Sequence, residues 1–183
     1  MKIIDTFAVL NESLFSVQFE QEVTHEFARL FNIWNDPEYL FDFFNENLTD
    51  LQGGFWGDIN ISEAIQRTRN EASELEAKIL AIAKTGQTNH YENLSTLFTP
   101  LNNDPCRIES YEKSKTRIRK GSWLRVYAIR VDLNTYVVCG GAIKLTKTMN
   151  ARNHLKLELE KLEFTKNYLL SESPDAHDFV ELF

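Results

Sequence analysis

Cysteine is nearly absent. The 183-residue chain holds two, Cys106 and Cys139, too few for a disulfide framework or a cysteine-rich metal knuckle. Proline and glycine are also scarce, at four and seven residues against thirteen phenylalanines. That balance excludes a fibrous or disordered chain and points to a dense core with few loops. Long apolar runs are missing: a stretch such as Tyr136 to Gly141 falls far short of the roughly 20 residues that span a bilayer. Residues 1 to 10 carry Lys2 and Asp5 and do not read as a signal peptide. The expectation is a soluble, cytoplasmic protein with no membrane partner. The four histidines, His25, His90, His154 and His177, are scattered. No catalytic or cofactor motif stands alone, so neither a metal nor a cofactor is expected.

Charge is present, and it is divided. The net charge of −7 separates into −11 over residues 1–105, +8 over 106–167 and −4 from Tyr168 onward. A pI of about 5.2 argues against a generic nucleic-acid binder. The basic segment argues the other way, because phosphate contacts depend on local Lys and Arg density. The acidic half is then either a shield for the basic half or a protein-binding surface.

Periodicity predicts an α+β domain with a small antiparallel sheet packed against several helices. Residues 3–10 and 14–19 alternate as two strands of a hairpin. A helix is expected over 21–34 with Val23, Phe27, Leu30, Phe31 and Trp34 on one face. A second helix restarts at Asp36-Pro37, where Asp36 caps and Pro37 fits the first turn. The longest helix is expected over 63–85, capped by Ser62 and ended by Gly86. A short helix is possible over 92–98. Residues 107–115 read as an edge strand, 122–131 and 136–145 as strands, and 150–170 as a terminal helix. Residues 1–170 form one domain in this reading, and 171–183 an acidic, mobile tail. On the strand at 122–131, Trp123, Arg125, Tyr127 and Ile129 share a face. On the next strand, Tyr136, Val138, Gly140, Ala142 and Lys144 do.

The stretch Leu94 to Leu162 carries several features in order. Leu94 to Leu101 ends in Thr99-Pro100-Leu101, and an edge strand follows. Then come Trp123-x-Arg125-x-Tyr127, the strand Tyr136 to Leu145, and Lys144-x-Thr146-Lys147-Thr148 leading into a Leu- and Glu-rich helix. This segment of roughly 70 residues resembles the RelE/HigB superfamily of bacterial toxins, with an enlarged helical N-terminal part (residues 1–93). The resemblance implies a small curved antiparallel sheet packed on helices. It also implies a ribosome-associated, metal-independent mRNA endonuclease, neutralised by a partner antitoxin. Such a reaction needs a base for the ribose 2′-hydroxyl, an acid for the leaving oxygen and cations for the phosphate. By this resemblance Arg125 holds the scissile phosphate, because a planar guanidinium grips two oxygens. Lys144 and Lys147 assist, and His154 is a candidate for proton transfer. Arg117, Arg119 and Lys120 in the preceding loop track the RNA backbone, and Arg152 completes the site. If the face bearing Trp123 and Tyr127 is exposed, the two rings flank Arg125 as a stacking platform for bases.

The sequence leaves other readings open. Leu145 stands where the pattern has a second lysine, and the whole chain is acidic. Both features favour a non-catalytic module that binds protein or nucleic acid on the same fold. A gyrase-directed toxin is a third reading, since relatives of this fold inhibit that enzyme. Cys139 is most simply a buried strand residue.

Overall fold

The computed structural model describes residues 1–101, 111–116, 121–146 and 152–172. The chain is α+β: six strands in one mixed sheet, with helices on both faces. Strands β1 (Ile3–Leu10) and β2 (Leu14–Phe19) form the expected hairpin, and Glu12 at its turn takes a positive φ of 67°. Helix α1 (Glu26–Asn35) starts five residues later than the spacing predicts. His25 is its N-cap and accepts from the Ala28 N–H. Helix α2 (Pro37–Glu46) begins as expected, with Asp36 accepting from the Glu38 and Tyr39 N–H groups. A single turn, α3 (Leu48–Leu51), follows.

Helix α4 (Ile61–Thr85) is capped by Asn60, not Ser62. Asn60 accepts from the Glu63 N–H at 2.9 Å, and Glu63 reaches back to the Asn60 N–H at 3.1 Å. This reciprocal box satisfies two of the free amides of the first turn. Gly86 ends the helix, yet its φ of −65° is ordinary. The reason for glycine there is space, because a Cβ would collide with the Asn134 side chain. Asn134 bonds Ser13 Oγ, the Ala83 carbonyl and the Leu94 N–H. It thereby ties three separate parts of the chain together.

Helix α5 (Leu94–Leu97) is one turn inside the expected span, and strand β3 (Phe98–Pro100) follows it directly. Strand β4 (Glu112–Thr116) is the described part of the predicted edge strand; residues 107–110 lie outside the described residues. It is not an edge, because β3 pairs along its outer side. Strands β5 (Leu124–Asp132) and β6 (Thr135–Ile143) form a hairpin, and α6 (Asn153–Glu172) ends the described chain. The predicted tail from residue 173 lies outside it.

The strand order is β1-β2-β6-β5-β4-β3. Four of the five pairings are antiparallel, but β2 and β6 run parallel. A sheet antiparallel throughout is therefore corrected. The N-terminal hairpin does not close on its neighbours in sequence. It joins the last strand after the intervening helices have crossed one face.

Each face of the sheet has its own core. On one, Leu30 and Trp34 of α1, Leu40 and Phe44 of α2, and Leu75 and Ile79 of α4 meet Leu124, Val126, Ala128 and Val138. On the other, Leu155, Leu162 and Leu169 of α6 meet Tyr127, Ile129, Val137 and Cys139. The N-terminal helices thus pack on the same sheet as the C-terminal segment, and each large side chain so buried contributes about 1.5–3 kcal/mol.

Strand β6 breaks the simple alternation. Val138 faces Ala128, but Gly140 rather than Cys139 faces Tyr127. The extra residue is a bulge, and it reverses the faces beyond it. Tyr136 and Val138 belong to the core under α1 and α4, whereas Ala142 belongs to the core under α6. The single face predicted from Tyr136 to Lys144 is corrected by this bulge.

Candidate functional site

The bulge decides which cations meet. Arg125 pairs with Ala142, and Lys144 follows two residues later on β6's extension. On the other side of β5, Lys115 pairs with Tyr127. Lys115, Arg125 and Lys144 thus gather at one end of three adjacent strands, beside the start of α6. Burial lowers the Lys144 pKa, and the charges of Arg125 and Lys115 lower it further. Like charges across neighbouring strands are unfavourable by themselves.

The structure brings together Arg125 and Lys144 of the expected set and adds Lys115, which the sequence reading missed. Lys115 lies in a stretch that the sequence presents as an edge strand, and nothing in its spacing ties it to residues on two other strands. Arg125 is held in place, its Nη1 donating to the carbonyls of Ser122 at 2.8 Å and Leu124 at 2.6 Å. Arg117, Arg119, Lys120 and Lys147 lie outside the described residues.

The aromatic platform does not form. Trp123 and Tyr127 are both fully buried, on opposite faces of the sheet. Trp123 precedes the first residue of β5, so strand alternation does not govern it. Its ring packs on Phe44 and Trp56, with the Arg67 guanidinium 4.1 Å from its centre. Tyr127 lies under α6, where burial raises its phenol pKa. Neither ring is open to a base. Arg152 is ion-paired with Asp50.

His154, in the first turn of α6, stands at the end of β6. Its ring meets Phe43 edge-on at 5.5 Å. Burial lowers its pKa, while a hydrogen bond to the Ile143 backbone acts against that shift. Its Nε2 is buried with no hydrogen-bond partner.

A second charged group lies farther along α6. Glu26 and Lys161 form a buried ion pair at 3.2 Å, and Lys161 also reaches Glu158 at 3.4 Å. Arg29 clasps both oxygens of Glu26 at 2.8 Å. Glu158 accepts from the Gly141 N–H at 2.7 Å. Burial raises the Glu158 pKa and Lys161 opposes the rise. This network joins α1 to α6 across the outer edge of β6. The spacing of these residues in the sequence, 135 positions from Glu26 to Lys161, hid it.

Among the described residues, no group of three or more His, Cys, Asp or Glu is placed to hold a metal ion. No described helix is long and apolar enough to cross a membrane. Compared with models of known families, with curated proteins and with solved structures, the chain matches none.

Proposed function

We propose that the protein is a RelE/HigB-like toxin, a metal-independent endoribonuclease that cleaves mRNA on the ribosome and is held in check by an antitoxin protein. The observation that carries this reading is the crowding of Lys115, Arg125 and Lys144 at one end of β4, β5 and β6. Three cations on rigid strands suit a phosphodiester, and strands hold their side chains more firmly than loops. His154 adjoins them through Ile143, the residue before Lys144.

The chemistry follows from those groups. The ribose 2′-oxygen attacks phosphorus as its proton passes to solvent water. The bond from phosphorus to the 5′-oxygen breaks, and the Lys144 ammonium gives that oxygen a proton. A lowered Lys144 pKa makes it the better acid. Arg125 and Lys115 hold the non-bridging oxygens as charge builds on them. The products are a 2′,3′-cyclic phosphate and a 5′-hydroxyl end.

Tightly induced expression of the wild type beside Arg125→Ala and Lys144→Ala, with RNA 5′ ends mapped soon after induction, tests this. New 5′-hydroxyl ends should appear within mRNA for the wild type and fall at least tenfold for Lys144→Ala. Equal amounts of folded protein with no new ends would remove the nuclease reading. A non-cleaving RNA- or protein-binding module is then the better account. The two carbonyl contacts that occupy Arg125 Nη1 favour it.

A further inference from the structure

Carboxylates collect along β6 on the side away from Lys115 and Arg125, which lie on β4 and β5. The Lys144 N–H donates to the Trp123 carbonyl at 2.8 Å, and Ala142 stands opposite Arg125. Residues 142 and 144 therefore turn their backbone groups toward β5, and Gly141 and Ile143 turn theirs to the outer edge. The bond from the Gly141 N–H to Glu158 agrees with that alternation. Strand β2 pairs with β6 only as far as Val138, and no described strand covers the edge that follows.

Two adjoining cavities, of about 380 and 430 Å³, lie there and share Arg29, Tyr39, His154 and Glu158 as lining. Both fall in the size range of small-molecule sites, about 300–1,000 Å³. Every base in their walls is already ion-paired: Lys2 with Glu20, Arg29 with Glu26, and Lys161 with Glu26 and Glu158. Asp42 and Glu46 are not matched in this way. They stand one turn apart on α2, exposed at the first cavity, and pair with no described base. Like charges at that spacing repel. Tyr39 and Phe43 form an apolar wall beside them, their rings 6.4 Å apart and within 18° of parallel. Burial raises the Tyr39 phenol pKa, Arg29 opposes the rise, and Glu158 and Glu46 add to it. Both carboxylates therefore act on the same ring. His154 Nε2 is buried in the wall with no hydrogen-bond partner among the described residues. A buried polar atom left in that state is costly, and a bound ligand accounts for it.

We propose that the paired cavities bind an aliphatic polyamine, with Asp42, Glu46 and Glu158 taking its ammonium groups and Tyr39 and Phe43 its methylene chain. An alkylammonium group has N–H donors and no acceptor, and a carboxylate has room for more bonds than Glu158 now makes. The ring faces add their own attraction for a cation. A single metal ion suits the cleft poorly, because no described trio of His, Cys, Asp or Glu is placed to hold one. A polyanion suits it less, since it would meet Asp42 and Glu46 on entry. Two joined cavities favour a chain of spaced charges: Asp42 and Glu46 serve the first, and Glu20 and Glu22 line the second. The inference stands apart from the nuclease reading, which uses Lys115, Arg125 and Lys144.

Isothermal titration calorimetry of the full chain tests it, at a physiological ionic strength of about 0.15 M so that loose surface attraction is screened. The probes are spermidine, 1,4-butanediol as a neutral chain of similar length to putrescine, and magnesium chloride as a compact dication. Spermidine should bind saturably at one site per chain, and the other two should give no saturable heat. The double variant Asp42→Asn, Glu46→Gln should weaken spermidine about tenfold. Both residues are exposed and outside the two cores, so its melting temperature without ligand should match the wild type. Amide NMR shifts on adding spermidine should centre on residues 39–47 and 141–143. The proposal is overturned by any of three results: no saturable binding of spermidine, equal affinity in the double variant, or magnesium binding as tightly as spermidine. The last two would mark a general response of an acidic surface. None of these outcomes bears on RNA cleavage.

Discussion

Single atoms decide much of this molecule. Gly140 faces α6 at the bulge, and a Cβ there would land on the Glu158 carboxylate. Gly140→Ala should push that carboxylate off the Gly141 N–H and cost about 2–4 kcal/mol, read as a lower urea midpoint. His154 sets a pH dependence. Its folded pKa is lowered, so the unfolded chain binds the proton more readily. The His154 contribution is fully present above the unfolded value of 6.5 and falls as acid is added, until the folded pKa is reached. His25, also lowered by burial, acts in the same direction. Thermal melts at pH 7.5 and 5.5 should therefore show a smaller loss for His154→Gln than for the wild type. Equal losses would mean that His154 titrates alike in both states.

At the scale of elements, one carboxylate ties α4 to the start of β5. Glu71 is buried, and its Oε2 accepts from Ser122 Oγ at 2.9 Å and the Trp123 N–H at 3.2 Å. Its Oε1 takes Arg67 at 3.0 Å, and that guanidinium then covers Trp56 and Trp123. Glu71→Ala leaves three donors behind in a closed site. A loss of about 3–5 kcal/mol is expected in denaturant unfolding, the usual cost of removing one partner from a buried ion pair. The sequence shows Arg67 and Glu71 only as a helix-face charge pair, since residues four apart on a helix commonly make one. Contact with the start of β5 turns that pair into a clamp. The Cys139 bulge is similar: the Gly140-Gly141 pair signals a bend or close approach. Which side each residue takes depends on α6 lying above one face.

For the whole molecule, the charge division becomes an internal joint. Glu26 from the acidic half pairs with Lys161 from the basic half, and Asp50 pairs with Arg152. Lys161→Met would leave the Glu26 and Glu158 carboxylates facing each other. The expected loss is about 3–5 kcal/mol at pH 7. It should shrink at pH 5, because the raised Glu158 pKa lets that group take up a proton and go neutral. A second change, Glu158→Gln, should recover part of the loss. Urea unfolding of the two variants at both pH values measures each effect.

The α+β class, both N-terminal strands and the N-cap of α2 were legible in the order of residues alone. Those depend on neighbours within a few residues: alternation, a capping Asp and a Pro in the first turn. Arg125 and Lys144 are singled out by the pattern around them, and the structure places their charges near each other. That Lys115 joins them, that Trp123 and Tyr127 are buried on opposite faces, and that β2 lies parallel to β6 came from packing. Among the described residues, no strand covers the outer edge of β6 beyond Val138. Each of these rests on strand register and on which helix covers which face. Those are set by packing between residues tens to more than a hundred positions apart, where local spacing carries no signal.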